Sequence, residues 1–556
     1  MPERKRYKGA RAGALAVALT AALLALPSAA SANVTASINA AGALSVSSDA
    51  GDAIDITCVG TPGNVKVNGI DPTGGPRACS AITSITVEGG PGGNSINLNG
   101  VTDELFTGLT SVTVNGNGGD DVILGSEIND VLNGGDGNDR VVGFRNAAGT
   151  RDVMTGGEGN DTLVWNNGDG SDTMDGQNGS DTVEVNGGAA AEQFTVQPSA
   201  TPGRISFDRV NPGPFNLDIG TSERLDLNAA GGDDSLNAAG GVAGLNPFVI
   251  DADGGDGNDL LNGGDAADIL SGGADNDRLV AFRNPAGTRD VMAGGDGDDT
   301  LVWNNGDGSD TMDGQNGNDT IEVNGGTADE EFTIKPSATT AGRVSFDRVN
   351  PGPFNLDIGS SEKLRLNAND GNDEITGAKG LKGLIVSTLN GEDGRDEIKG
   401  TDAKDRLNGG KGFDVIRSRD KVEDLVDCGR GFDIAFVDRR DFVRGCEVVL
   451  GGRQRVRLAR KTMNMAGGAI VLPLRCVVAQ RCKGTALLRL KGKSLGSARF
   501  NISRKKAKTI RLKLNRRGRR LVAGGPAKGL RAQLRLKARD SRGNGWETRP
   551  MIRVKD

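Results

Sequence analysis

Over much of this chain the apolar positions fall into a nine-residue rhythm. It is clearest from Gly254 to Val280, which reads GGDGNDLLN, GGDAADILS, GGADNDRLV. Each nonad has Gly-Gly at positions one and two, Asp at six and Leu or Ile at eight. The glycines permit the positive φ of a tight turn. The Asp places a carboxylate at the turn's end, and the apolar residue two places on starts a short strand. Turn, carboxylate and strand recur without a gap, which predicts a solenoid in which two nonads make one coil. Position eight then points inward to a thin core, and Asp columns with backbone carbonyls line both edges.

The same pattern organises most of the sequence. A first array runs over 116–184, with four inserted residues at Gly143–Asn146 and two at Trp165–Asn166, read as bulges on a coil's edge. The glycine signature lapses over 185–228. There Phe194-Thr195-Val196, Ile205-Ser206-Phe207, Leu217-Asp218-Ile219 and Leu225-Asp226-Leu227 keep apolar residues two apart, so strands continue. These are either metal-free coils or a small β insert. The second array occupies 229–322, with Gly272–Glu322 repeating Gly134–Glu184 almost verbatim, and a second spacer follows at 323–367. A third array lies within 368–450, with nonads from Gly391 to Arg417. Residues 33–115 hold short alternating runs that predict an N-terminal β cap, as a repeat array's exposed end requires. Residues 451–556 carry longer alternating strands, such as Ile510-Arg511-Leu512-Lys513-Leu514, and suggest an antiparallel β-sandwich of immunoglobulin-like type.

Composition narrows the chemistry. Gly is 87 of 556 residues and aromatics are 3%, which favours thin repetitive cores. His is absent, which removes Ser-His-Asp and Cys-His catalysis and His-ligated zinc or iron. Met1–Ala32 has the form of a secretory signal, with Arg4, Lys5, Arg6, Lys8 and Arg11 before the apolar run Ala14–Leu26 and a small-residue site at Ala30-Ser31-Ala32. An exported chain, secreted or held at the cell surface, is the expectation. No later stretch is apolar enough to span a membrane. Six cysteines fall in three close pairs, Cys58/Cys79, Cys428/Cys446 and Cys476/Cys482, with no CxxC, so disulfides are favoured over a metal site. The net charge of −7 hides a division: residues 451–556 hold 31 Lys/Arg against 3 Asp/Glu, whereas residues 33–450 hold 30 against 69. The acidic part asks for cations and the basic part for anions.

Columns of hard oxygen ligands suit Ca2+, which takes roughly six to eight oxygens at about 2.3–2.6 Å. Without such an ion the carboxylates repel one another, so the metal is expected to be part of the fold. GGDGNDRVV at Gly134–Val142 and GGDGNDLLN at Gly254–Asn262 resemble the nonapeptide GGxGxDxUx of the RTX, or haemolysin-type, calcium-binding repeats. The resemblance implies a parallel β-roll, or β-solenoid, with several Ca2+ ions between successive turns. The candidate metal residues are Asp121, Asp136, Asp139, Asp161, Asp172, Asp181, Asp256, Asp259, Asp268, Asp277, Asp299, Asp310, Asp319, Asp396, Asp405 and Asp414. Asp130, Asp152 and Asp290 sit in nonads that have lost turn glycines, and GGDAAD and GGADND lack Gly at position four. The segment Arg419–Glu447 resembles the closing segment that follows such arrays in secreted bacterial proteins. There Cys428 replaces the first Gly of a final nonad, and a bond to Cys446 would clamp the open end.

Other readings of these residues are weaker. A phosphate-binding glycine loop opens a helix and avoids carboxylates, and an EF-hand reading of Asp251-Ala252-Asp253 fails because Gly255 occupies the third ligand position. Trp165 and Trp303 are either ligand-stacking platforms or covers for a coil edge. Arg145, Arg151, Arg283 and Arg289 either bind an anion or pair with the Asp column. The function expected is that of an all-β, non-enzymatic, calcium-dependent extracellular structural or surface protein. Two alternatives remain: a calcium-dependent β-helix lyase or epimerase acting on polysaccharide, and an adhesin whose basic domain binds anionic cell-envelope polymer. HExxH is absent, and nucleic acid is a poor fit because few aromatics accompany the basic residues.

Overall fold

A computed structural model describes residues 33–146, 150–238, 248–451, 456–477, 481–526, 528–539, 545–548 and 550–555. The leader expected at Met1–Ala32 lies outside the described residues.

The nonads fold as the rhythm requires. The first half of each coil adds a strand to one parallel sheet and the second half adds a strand to another. In sheet one, Asp130–Asp136, Arg151–Glu158 and Ser171–Asn178 pair in parallel, which stacks Leu132, Met154 and Met174. In sheet two, Val122–Leu124, Arg140–Val142, Thr162–Asn166 and Thr182–Asn186 do the same and stack Ile123, Val141, Leu163 and Val183. These position-eight side chains are fully buried, and one continuous apolar core runs from Leu44 to Val449. Outside the core, position-nine side chains form ladders along the sheet face. Asn390 donates to Asn367 Oδ1 at 2.7 Å, and Asn408 to Asn390 at 2.5 Å. At the N-terminal end, hairpins Thr35–Ile38/Ala43–Ser47 and Ala53–Val59/Asn64–Val67 supply the first strand of each parallel ladder, and Cys58–Cys79 ties the second hairpin to the 3-10 turn Cys79–Ala81.

The two spacers, undecided between coil and insert, are antiparallel meanders set into the coils. Gln193–Pro198, Ile205–Asn211 and Phe215–Ile219 lie in sheet one between Ser171–Asn178 and Ser235–Ala238. Glu331–Pro336, Val344–Asn350 and Phe354–Gly359 repeat the arrangement in sheet two, between Asp310–Asn316 and Glu374–Gly377. Ten single strands, from Arg224–Asn228 to Thr320–Asn324, alternate between the sheets from one meander to the next, which places the second on the face opposite the first.

Each meander is anchored by one buried cluster. Trp165 is fully buried, its Nε1 donates to Gly170 O at 2.9 Å, and its ring stacks on Phe215 at 3.8 Å. The Arg209 guanidinium lies over both rings and donates to Glu192 Oε1 at 2.5 Å. Trp303, Phe354, Arg348 and Glu330 repeat the cluster. The tryptophans therefore cover the coil from within and offer no platform to a ligand. Arg151 and Arg289 donate to the backbone oxygens of Asp172 and Asp310 and to Asn216 and Asn355, so they stitch the meander to the coil and do not pair with the Asp carboxylates. Arg145 and Arg283 are exposed.

Beyond Val448–Gly451, the last strand of sheet two, a second core gathers residues of 456–554. Where two sheets of an immunoglobulin-like sandwich are expected, the ladder runs on and closes. Thr462–Ala466, Ala469–Cys476, Ala507–Leu514, Lys493–Ile502, Cys482–Leu490, Leu530–Arg539 and Met551–Lys555 form a seven-stranded barrel, and the last pairs back onto the first. The alternation read from the sequence holds: Ile510, Leu512 and Leu514 point inward, while Lys508, Arg511 and Lys513 are exposed. All three close cysteine pairs are disulfides.

Candidate metal centre

The site is a corner, built once and stacked. In the nonad Gly134–Val142, Gly135 has φ 120° and Gly137 φ 137°, values that favour glycine. Two left-handed residues in one turn reverse the chain within six residues and deliver Asp139 to the mouth of the next strand. A Cβ at Gly134 would stand 2.3 Å from Asp139 Oδ2 and 2.6 Å from Gly156 O, so the first glycine leaves a cradle faced by two oxygens. The same two oxygens, a carboxylate and a carbonyl of the next coil, face the cradle at Gly116, Gly254, Gly272, Gly294, Gly391 and Gly409.

The carboxylates form ladders. Asp121 N donates to Asp139 Oδ1 at 2.7 Å, Asp139 N to Asp161 Oδ1 at 2.8 Å, Asp161 N to Asp181 Oδ1 at 2.9 Å, and Asp181 N to Glu223 Oε2 at 2.8 Å. A second ladder links Asp234, Asp259, Asp277, Asp299 and Asp319 and ends on Glu362. A third links Asp373, Asp396, Asp414 and Asp433 and ends on Glu447. One oxygen of every Asp is thus satisfied by the preceding coil. The other, Oδ2, is buried and has no hydrogen-bond partner at any of these positions. Among the described residues, these thirteen corners alone have positive φ at both positions two and four.

The opposite edge is built differently. Asp130 Oδ2 accepts from Ser126 N at 2.6 Å and Oδ1 from Ser126 Oγ at 2.7 Å. Asp268 accepts from Ile250 N at 2.9 Å and from Gly264 N at 2.6 Å, and Asp405 from Thr401 N at 2.7 Å and Thr401 Oγ1 at 2.9 Å. The position-two residues Ser126, Gly264 and Thr401 lack the positive φ, and their amides reach the carboxylate of their own turn. Asp152, Asp172, Asp290 and Asp310 on this edge each keep a buried, unpartnered Oδ2. Asn146 and Asn284 donate to Oδ1 of Asp172 and Asp310, both at 2.8 Å.

Burial without donors shows in the acidities. Loss of hydration raises Asp121, Asp277 and Asp414 from 3.8 to about 7, and neighbouring carboxylates add to the rise. Asp152 and Asp290 are pushed to about 9 and about 8, again chiefly by burial and then by facing carboxylates. Columns of this kind shed charge by protonation or hold it beside a cation.

The donor set fits Ca2+. The orphaned oxygens are hard, anionic and pre-aimed, and carbonyls face the same cradles. Among the described residues, no three acidic or cysteine side chains gather around one point. An ion held at a corner would draw on backbone carbonyls as well as carboxylates.

Of the residues singled out from the sequence, Asp121, Asp139, Asp161, Asp181, Asp259, Asp277, Asp299, Asp319, Asp396 and Asp414 stand in the three ladders. Asp172 and Asp310 stand on the opposite edge, where Asp268 and Asp405 are already hydrogen-bonded through both oxygens. Asp136 and Asp256, at position three, are exposed outside the ladders. Sequence reasoning missed Asp234, Asp373 and Asp433, whose turns open on Ala-Ala, Ala-Asn and Cys-Gly. The signal that remained was Gly at four, Asp at six and an apolar residue at eight.

The RTX calcium-binding nonapeptide repeat model matches residues 113–143, 147–164, 167–189, 252–281, 287–302, 304–327 and 387–416. No curated protein matches the chain as a relative. The arrays are thus RTX-type calcium-binding repeats, and repeats of this family bind Ca2+ at multiple sites.

Proposed function

We propose that the protein is an exported, non-enzymatic spacer whose solenoid is stiffened by extracellular Ca2+. The observation that carries this is the ladder of orphaned carboxylates: thirteen buried Oδ2 atoms, aligned along the coil corners, for which the fold itself provides no donor. Extracellular modules bind Ca2+ with dissociation constants of about 10⁻⁴–10⁻³ M, so the external medium fills such corners and the cytosol does not. A chain of this kind leaves the cell unfolded and folds outside. The three disulfides suit the same compartment, and among the described residues no helix is long and apolar enough to cross a membrane. Circular dichroism and thermal melting with and without chelator test the reading. Loss of strand signal on chelation is expected, and an unchanged spectrum and melting temperature would sink it.

The basic barrel favours a second, compatible role. Exposed Lys508, Arg511 and Lys513 line one strand of a domain whose cations far outnumber its anions. This supports attachment to an anionic cell-envelope polymer, tested by pull-down with purified envelope at rising salt. An alternative lyase or epimerase activity is tested by unsaturated product from uronic-acid polymers.

A further inference from the structure

The glycine signature and the corner geometry do not coincide. Asp234 closes the turn Ala229–Asp234, Asp373 closes Ala368–Asp373 and Asp433 closes Cys428–Asp433. None lies in a segment that matches the repeat family. Yet each turn adopts the double twist of the consensus corners: Ala230 and Gly232 at φ 71° and 114°, Asn369 and Gly371 at 68° and 136°, Gly429 and Gly431 at 83° and 150°. Each carboxylate stands in a ladder: Asp234 Oδ1 accepts from Glu192 N at 2.6 Å, Asp373 Oδ1 from Glu330 N at 2.8 Å and Asp433 Oδ1 from Asp414 N at 3.0 Å. All three are at most 2% exposed, and each Oδ2 is unpartnered.

The converse holds at Asp130, Asp268 and Asp405. All three lie inside matched segments, and all three are capped by an amide of their own turn, two of them by a hydroxyl as well. A carboxylate oxygen that has lost water and gained no donor is costly to bury, and a cation removes the cost. A carboxylate whose oxygens already accept from two N–H or O–H groups gains little from an ion and must surrender those bonds to take one.

We propose that the paired positive-φ twist, and not the Gly-Gly signature, marks where this chain holds Ca2+. The corners at Asp234, Asp373 and Asp433 are then calcium sites outside the recognised repeats, and those at Asp130, Asp268 and Asp405 take no ion. This inference rests on the calcium reading of the arrays. It has a sharp contrary outcome, because Ala229, Ala368 and Cys428 carry a Cβ where the consensus corners carry Gly. If that Cβ fills the cradle, the three corners stay empty.

Equilibrium dialysis of the full chain against radioactive calcium counts the ions. The variant Asp234→Asn/Asp373→Asn/Asp433→Asn is expected to lose one ion per substituted corner, and Asp130→Asn/Asp268→Asn/Asp405→Asn to lose none. Asn keeps the Oδ1 acceptor of the ladder, and circular dichroism in saturating calcium checks the strand content. A full count in the first variant, or an equal loss in the second, overturns the proposal. Should the first variant fail to fold, anomalous scattering from Tb3+ in crystals of the unsubstituted chain decides. Peaks at Asp234, Asp373 and Asp433 support the assignment, whereas their absence there, or peaks at Asp268 or Asp405, reject it. An unsubstituted chain that binds no calcium in dialysis would instead sink the reading of the arrays themselves.

Discussion

At Gly157 the backbone is held at φ 129°, and a Cβ would stand 2.0 Å from Gly135 O in the neighbouring coil. At Gly168 φ is 107° but nothing lies within 4 Å of the added carbon. Gly168→Ala therefore carries backbone strain alone, about 1–3 kcal/mol. Gly157→Ala adds a collision between stacked turns, so its melting temperature in saturating calcium is expected to fall further than that of Gly168→Ala. At this scale the sequence was legible wherever one residue type does one job. Asp at position six marked a buried carboxylate because only an acid at the turn's end can enter the ladder. Asp136 and Asp256, chosen for the same chemistry, point to solvent because position three lies on the outside of the turn. Nothing in residue type distinguishes Asp268 from Asp277. The difference lies in the φ of Gly264 and Gly273, which glycine leaves open to either sign.

The element that governs acid and metal response is the column. Asp121 and Asp277 titrate near 7 in the metal-free fold against 3.8 ordinarily, so between those values the folded chain binds more protons than the unfolded one. Stability of the metal-free protein is then greatest below about pH 4 for these groups and falls as pH rises through 7. On the proposed function, calcium takes the place of those protons. Melting temperature without calcium is expected to decrease from pH 5 to pH 8 and to increase over the same range with calcium, as checked by calorimetry. A pH-independent melt in chelator would contradict this origin. Where each meander departs, the protein uses a cation of its own, because Arg209 neutralises buried Glu192 and Arg348 neutralises buried Glu330. Arg209→Met leaves a buried charge unpaired and is expected to cost about 3–5 kcal/mol. Adding Glu192→Gln should restore part of that loss, as urea melts would report. The meander strands were visible in the sequence as apolar residues two apart, but their pairing was not. Period two is common to parallel and antiparallel ladders, and only the turns at Pro198–Ile205 and Asn211–Phe215 reverse the chain.

At the scale of the molecule two cores meet near Leu450, one ending at Val449 and the other beginning at Val456. Among the described residues, only the first carries ladders of orphaned carboxylates. Scanning calorimetry of the full chain is expected to resolve two transitions, and chelation to abolish the solenoid's while the barrel's persists. Loss of both together would show that the barrel depends on the solenoid. The barrel's closure was not legible because alternating strands serve an open sandwich equally well. Closure depends on the parallel pairing of Thr462–Ala466 with Met551–Lys555, about ninety residues apart in sequence.

Each meander also unbalances its coil. It puts four ladder steps into one sheet where the facing sheet has two, an excess of about 10 Å at roughly 4.8 Å per step. One such wedge would tilt the rod, and wedges on a single side would curl it towards a ring. The copies fall on opposite sides because an even number of single strands separates them, so the second tilt undoes the first. A chain that grows by duplicating this block of 138 residues gains reach and keeps its heading.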